Sequence, residues 1–206
     1  MGMMWSLETL HWAKGAKFVA GIDEAGRGAL AGPVCVAAVI LPPDQKPRFY
    51  RDSKTLSPAK RQQLALEIKQ EALAWAIEFA PANEVDQYNV LQATHRAAAR
   101  AIAQLNPAPD ALITDYLKLI TNLPLLAPAK ADSSSYSVAA ASILAKTARD
   151  KYMVALSQQH PAYGFEAHKG YGASQHLQAL KQYGVLLEHR KTFAPVALLV
   201  NGLDFG

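Results

Sequence analysis

Cysteine is almost missing from this 206-residue chain. The lone Cys35 excludes a disulfide framework and a cysteine-built zinc cluster, and it suits a reducing compartment, so a cytoplasmic protein is expected. The six histidines are scattered without a His-Glu-x-x-His run, and no Walker-type phosphate loop occurs. A zinc hydrolase of that kind and a P-loop nucleotidase are therefore set aside. No apolar run is long enough to cross a bilayer, and Met1 to Trp12, which carries Glu8 and His11, is expected to be neither a signal peptide nor a membrane span. Internal repeats, low-complexity tracts and linkers are also missing. A chain of this length supports one sizeable core and not two. One domain over residues 1–206 is expected, with a core over about 17–160 and a smaller helical and loop extension over about 161–206.

What is present is a modest basic excess, 21 Lys and Arg against 17 Asp and Glu, with a formal charge of +4. If several acids were withdrawn into one site, the remaining surface would be more basic still and would favour a polyanion.

The rest of the chain is organised around Gly21 to Gly32, Gly-Ile-Asp-Glu-Ala-Gly-Arg-Gly-Ala-Leu-Ala-Gly. Apolar runs at Lys17 to Ile22 and Val34 to Leu41 flank it and read as two buried strands of a hairpin. Asp23 and Glu24 then stand at the end of a core strand, where an unpaired charge is costly. Neighbouring strand residues point to opposite faces, so the pair can share a site only where the strand ends or twists. Gly26 and Gly28 lack Cβ atoms and let a polymer backbone approach, and Arg27 between them offers a planar cation for phosphate. Gly26-x-Gly28-x-x-Ala31 also resembles a dinucleotide fingerprint, but the two acids would repel a pyrophosphate and a strand follows where that motif needs a helix.

Further along, Ser57-Pro58 has the chemistry of a helix start, with an apolar stripe at Leu64, Ile68 and Leu73. Ala74 to Ala80 alternates like a half-buried strand, Val90 to Leu105 reads as a helix, and Ala111 to Leu117 reads as a core strand whose only charge is Asp115. Leu123 to Ala131, with its two prolines, suits an edge strand. Serines 133 to 135 precede an alanine-rich helix reaching about Gln159, and a last helix is expected from about Ala173 to Tyr183. This order predicts a mixed sheet with helices packed on it.

Taken singly, each acid has a structural explanation: Asp132 as a helix cap, Asp115 as the partner of a buried arginine. Taken together, Asp23, Glu24, Asp115 and Asp132 all fall at or near the ends of core strands, where neighbouring parallel strands would gather them. Such a cluster raises its own pKa values unless a divalent cation neutralises it, and oxygen-only ligands favour magnesium or manganese. Two such ions about 4 Å apart cleave phosphodiesters. Tyr171, in Lys169-Gly170-Tyr171-Gly172, would stack on a sugar or base.

These residues resemble bacterial ribonuclease HII, the type 2 ribonuclease H family. The resemblance rests on Gly21 to Gly28, Asp52-Ser53-Lys54, Asn89 to Thr94, Ala140 to Lys146 and His168 to Gly172. It implies an α/β, RNase H-like fold: a mixed five-stranded sheet flanked by helices, with a small helical C-terminal extension. It also implies a monomer that acts on RNA/DNA hybrids and on single ribonucleotides embedded in duplex DNA. The same resemblance makes Asp23, Glu24, Asp115 and Asp132 the catalytic acids, the first three as ligands of two divalent ions, Mn2+ or Mg2+. Gly26, Arg27, Gly28, Ser53, Lys54, Lys169 and Tyr171 become substrate contacts. Type 3 relatives usually lack arginine between the two glycines, so Arg27 points to type 2. Tyr116 and Ala131 stand where the family usually has glycine, which adds bulk beside Asp115 and Asp132. The rivals are a ribonuclease H-fold nuclease of other specificity and a catalytically silent nucleic-acid binding module.

Overall fold

The computed structural model describes residues 5–43 and 56–203. Ser53 and Lys54 lie outside the described residues.

Five strands form one sheet: β1 (Val19–Ala25), β2 (Val34–Ile40), β3 (Ala74–Ala80), β4 (Ala111–Thr114) and β5 (Leu125–Leu126). Their order is β3-β2-β1-β4-β5. β1 pairs antiparallel with β2 and parallel with β4, so the sheet is mixed. Strand β2 is buried along its whole length because the sheet is covered on both faces. Its alternate residues divide between the two layers: Val34, Val36, Ala38 and Ile40 pack towards α3 (Ala82–Ala103), and Cys35, Ala37 and Val39 towards α2 (Pro58–Glu71) and α4 (Tyr136–Gln159).

The alanine content of α4 has a direct use. Gly21 lies under its N-terminus, and a Cβ there would overlap the backbone of Ser137 and Val138. Only small side chains allow a helix that close to a strand, and Ala139, Ala140, Ala141 and Ala145 are all buried in that layer. Ser57 caps α2 as expected, accepting from the Lys60 N–H, which contributes about 1 kcal/mol. Its buried stripe is Leu64, Ala65 and Ile68; Leu66 and Leu73 face solvent. Arg61 is drawn inward to Asp150 at 3.3 Å and to the Leu56 carbonyl at 2.7 Å.

Several sequence boundaries shift. The first strand does not stop at Ile22 but runs through both acids to Ala25, and β4 stops at Thr114, before Asp115. The expected edge strand is reduced to Leu125–Leu126; the Pro124 and Pro128 carbonyls still accept from Leu112 and Tyr116, the half of strand pairing that proline retains. Helix α3 begins at Ala82 and is broken at Asn89 (φ 64°, ψ 163°), whose side chain accepts from the Gln92 N–H and restarts the helix. Arg96 and Arg100 both reach back across that break to Glu84, at 3.2 and 2.9 Å.

Three short helices have no individual counterpart in the sequence reading. Helix α1 (Ser6–Trp12) sends Glu8 to the start of α4, where its carboxylate accepts from the Ser135 hydroxyl (2.7 Å) and the Ser137 N–H (3.0 Å). Beyond α5 (Phe165–His168) and α6 (Ser174–Tyr183), α7 (Ala194–Val200) packs Val196 into a separate cluster with Leu30, Phe165 and Leu180. Among the described residues no helix is long and apolar enough to cross a membrane.

Candidate active site

The site grows out of a mismatch in strand length. β4 ends at Thr114 opposite Ile22, while β1 continues three residues further. Beyond that point β1 has lost its parallel neighbour. Asp23, on the α4 face, and Glu24, on the α3 face, can then both reach the opening left where β4 stopped. Asp115, the residue after β4, lies at the same opening. All three line one cavity of about 360 Å³, with Ala25, Gly26, Arg27, Gly28, Ser142, Lys146 and Tyr171.

Burial and mutual repulsion show in the acids themselves. Desolvation, reinforced by Glu24 and Asp115, pushes the Asp23 carboxyl up to about 7. Desolvation also raises Glu24, against the opposing pull of Arg27 at 3.1 Å. The second carboxylate oxygen of Glu24 is buried with no hydrogen-bond partner among the described residues. Asp23 accepts from the Glu24 N–H at 2.8 Å.

Neither structural explanation for the other acids is used. The cap of α4 is Ser135, which accepts from the Val138 N–H at 3.1 Å, not Asp132. The Asp115 carboxylate takes the Ala131 N–H at 3.1 Å, and the buried arginines go elsewhere. Asp132 sits one residue on, in the 3-10 turn Ala131–Ser133, half-buried and outside the cavity lining. Lys169 also lies outside it, its ammonium turned back to the Glu166 carbonyl.

The glycine loop is held from behind by two fully buried guanidiniums. Arg149 donates to the carbonyls of Pro33 (2.9 Å) and Ala31 (3.2 Å). Arg190 donates to Arg27 (2.7 Å), Gly26 (2.8 Å) and Gly32 (2.9 Å). C=O and N–H point oppositely in a trans peptide, so carbonyls of Gly26 and Arg27 turned inward put the amide hydrogens of Arg27 and Gly28 on the outer side. Gly26 has φ +93°, and any side chain there would overlap the Arg149 guanidinium; a Cβ at Gly28 would meet only the Tyr171 ring, at 4.0 Å. Tyr171 also packs on Arg149, whose guanidinium carbon lies 5.3 Å from the ring centre.

The sequence reading singled out neither Ser142 nor Lys146 as site residues. Their i, i+4 spacing on α4 was the available signal, since it puts them on one helix face. Lys146 is ion-paired with Asp150 at 2.7 Å.

The bulk at Tyr116 and Ala131 does not block the acids. Tyr116 adopts the left-handed conformation (φ 58°), which turns its ring out to 72% exposure, and the buried Ala131 serves Asp115 with its amide. A left-handed non-glycine residue costs roughly 1–2 kcal/mol, partly offset by the unfolded-state entropy of a glycine. Tyr116→Gly is therefore expected to raise stability by about 0.5–1 kcal/mol in urea unfolding; a loss would mean that the ring contributes packing of its own.

Comparison with known proteins identifies the family. A family model described as Ribonuclease HII matches residues 20–195. The chain belongs to the ribonuclease HII family. It is 56% identical over 191 residues to Ribonuclease HII of Thermus thermophilus, covering 93% of each chain. It is 48% identical to that of Halalkalibacterium halodurans, covering 94% of this chain and 73% of the other. The crystal structure of ribonuclease H2 from Pyrococcus horikoshii superposes with a TM-score of 0.78 at 24% identity, covering 90% and 98% of the two chains, and shares the fold. Membership of the ribonuclease HII family makes the protein an endoribonuclease of the ribonuclease H class.

Among the described residues no three His, Cys, Asp or Glu side chains form a ready-made metal cage. The carboxylates border one cavity rather than one point, and Glu24 is turned to Arg27. Their chemistry nonetheless fits a hard cation: mutually repelling carboxylates, oxygen donors only, and one buried carboxylate oxygen lacking a partner among the described residues.

Proposed function

We propose that this endoribonuclease hydrolyses the RNA strand of RNA/DNA hybrids and nicks duplex DNA on the 5′ side of a single embedded ribonucleotide, leaving 3′-hydroxyl and 5′-phosphate ends. The same reading makes the protein a cytoplasmic monomer that removes misplaced ribonucleotides and RNA primers. Asp23, Glu24 and Asp115 would hold two divalent ions, Mg2+ or Mn2+, and Asp132 would complete the second site or position water. Bound there, such ions supply charge neutralisation, a nucleophilic water at neutral pH and stabilisation of the leaving oxygen.

The observation that carries the reading is the orientation of the glycine loop. With the Gly26 and Arg27 carbonyls drawn inward by Arg190, two successive amide hydrogens are directed outward beside the acids. The 2′-hydroxyl distinguishes RNA from DNA at one nucleotide, and fixed backbone donors with no side chain at Gly28 suit its recognition. Arg27, half exposed at the cavity mouth, can exchange Glu24 for a phosphate. Tyr171, 41% exposed and beside Gly28, offers its ring to the sugar or base.

The test is a duplex with one ribonucleotide, incubated with Mg2+, Mn2+ or chelator, and mapping of the nick. Metal-dependent cutting on the 5′ side is expected; cutting of hybrid alone, or none, would overturn the specificity. Arg27→Ala and Tyr171→Ala are expected to reduce the preference for the ribonucleotide roughly tenfold, the scale of one lost stacking contact.

A further inference from the structure

Behind Tyr171 lies a feature the reaction does not use directly: two fully buried histidines in contact, one on α6 and one in the segment before α7. The Leu186 N–H donates to His189 Nδ1 at 2.9 Å, so the His189 hydrogen is on Nε2. That nitrogen lies 3.0 Å from His176 Nε2, which must accept. The His176 hydrogen is then on Nδ1, 2.8 Å from the Tyr171 carbonyl. Each partner fixes the next tautomer, and the chain of donors runs one way, from Leu186 to Tyr171. Burial keeps both rings neutral.

The same segment grips the glycine loop. His189 forms a backbone bridge with Ala31, the Arg190 N–H donates to the Leu30 carbonyl, and the Arg190 side chain holds Gly26 and Arg27. Residues 189 and 190 thus reach both halves of the site, one through its imidazole and the other through its guanidinium. Phe165 meets the His176 ring nearly at right angles at 5.3 Å, and His168 stacks on that ring at 4.6 Å, so it is held in one orientation. Leucine or phenylalanine at 176 would fill this space but take a donor from the Tyr171 carbonyl and the acceptor from the His189 Nε2 hydrogen. Polar pairs in such a place fix a conformation more than they add stability.

We propose that His176, through its bond to the Tyr171 carbonyl, is a positioning residue that sets Tyr171 against the glycine loop and thereby tunes discrimination for the ribonucleotide. This rests on the substrate reading above.

Asparagine and glutamine separate the two bonds of His176. Asparagine places its amide where Nδ1 stands and keeps the link to Tyr171; glutamine places its amide where Nε2 stands and keeps the link to His189. Affinities for a duplex with one ribonucleotide and for an all-DNA duplex of the same sequence are measured by fluorescence anisotropy in chelator, with thermal melts of each variant. His176→Asn is expected to retain the wild-type ratio of affinities. His176→Gln is expected to lower it about tenfold, with all-DNA affinity unchanged and no further loss in a Tyr171→Ala background. Equal ratios in the two variants, or a loss that adds to that of Tyr171→Ala, would overturn the proposal alone. Equal affinity of the wild-type protein for both duplexes would sink the substrate reading and this proposal with it.

Discussion

Asp23→Asn is expected to abolish nicking and to make the protein more stable. The activity loss is at least about 10³-fold, corresponding to about 4 kcal/mol of transition-state stabilisation. Duplex binding in chelator should remain. The stability gain follows from linkage. Burial and the neighbouring acids raise the Asp23 carboxyl from 3.8 to about 7 in the folded protein. The native state therefore binds more protons than the unfolded chain between those values, and stability falls as pH rises through that window. The penalty is fully developed above pH 7 and absent below pH 3.8. In chelator at pH 8, Asp23→Asn should melt above the wild type, by roughly 2–4 °C for each kcal/mol relieved. The difference should vanish towards pH 4. Added Mn2+ should raise the wild-type melting temperature more than that of the variant, since a ligand that binds only the folded state stabilises it by mass action. Equal melting curves at pH 8, with and without metal, would remove Asp23 from a cluster of competing charges.

Two glycines two residues apart should behave oppositely. Gly26→Ala puts a methyl group into the Arg149 guanidinium at a backbone angle that side chains avoid. Left-handed strain together with displacement of a buried, carbonyl-bound cation predicts a loss of roughly 3 kcal/mol or more in denaturant unfolding. Gly28→Ala meets only ordinary van der Waals contact with Tyr171 and should change stability by less than about 1 kcal/mol. Its effect should appear in substrate binding instead, as a higher KM for the ribonucleotide-containing duplex. Similar unfolding free energies for the two variants would contradict the packing assigned to the loop.

What was legible in the sequence depended on whether a residue's partner leaves a pattern. The apolar runs of β1 and β2 and the Ser57-Pro58 helix start have local signatures, and they appear where expected. The acids gather as their strand-end positions suggested for Asp23, Glu24 and Asp115, whereas Asp132 lies outside the cavity lining. Charges were read as strand ends, so the continuation of β1 through Asp23 and Glu24 was not visible; its cause is pairing with β2, a long-range fact. Arg149 and Arg190 were least legible of all. Arginine in a sequence suggests surface, and their partners are backbone carbonyls, which every residue carries. The imidazole pair was hidden for the same reason, its members being thirteen positions apart on different elements.

Arg190 also bears on how a newborn chain acquires its cutting face. The guanidinium that turns the glycine loop lies 164 positions downstream of Gly26. While the ribosome is still making the polypeptide, Asp23 and Glu24 are already in the chain, but the bonds that turn the Gly26 and Arg27 carbonyls inward can form only after Arg190 has been added.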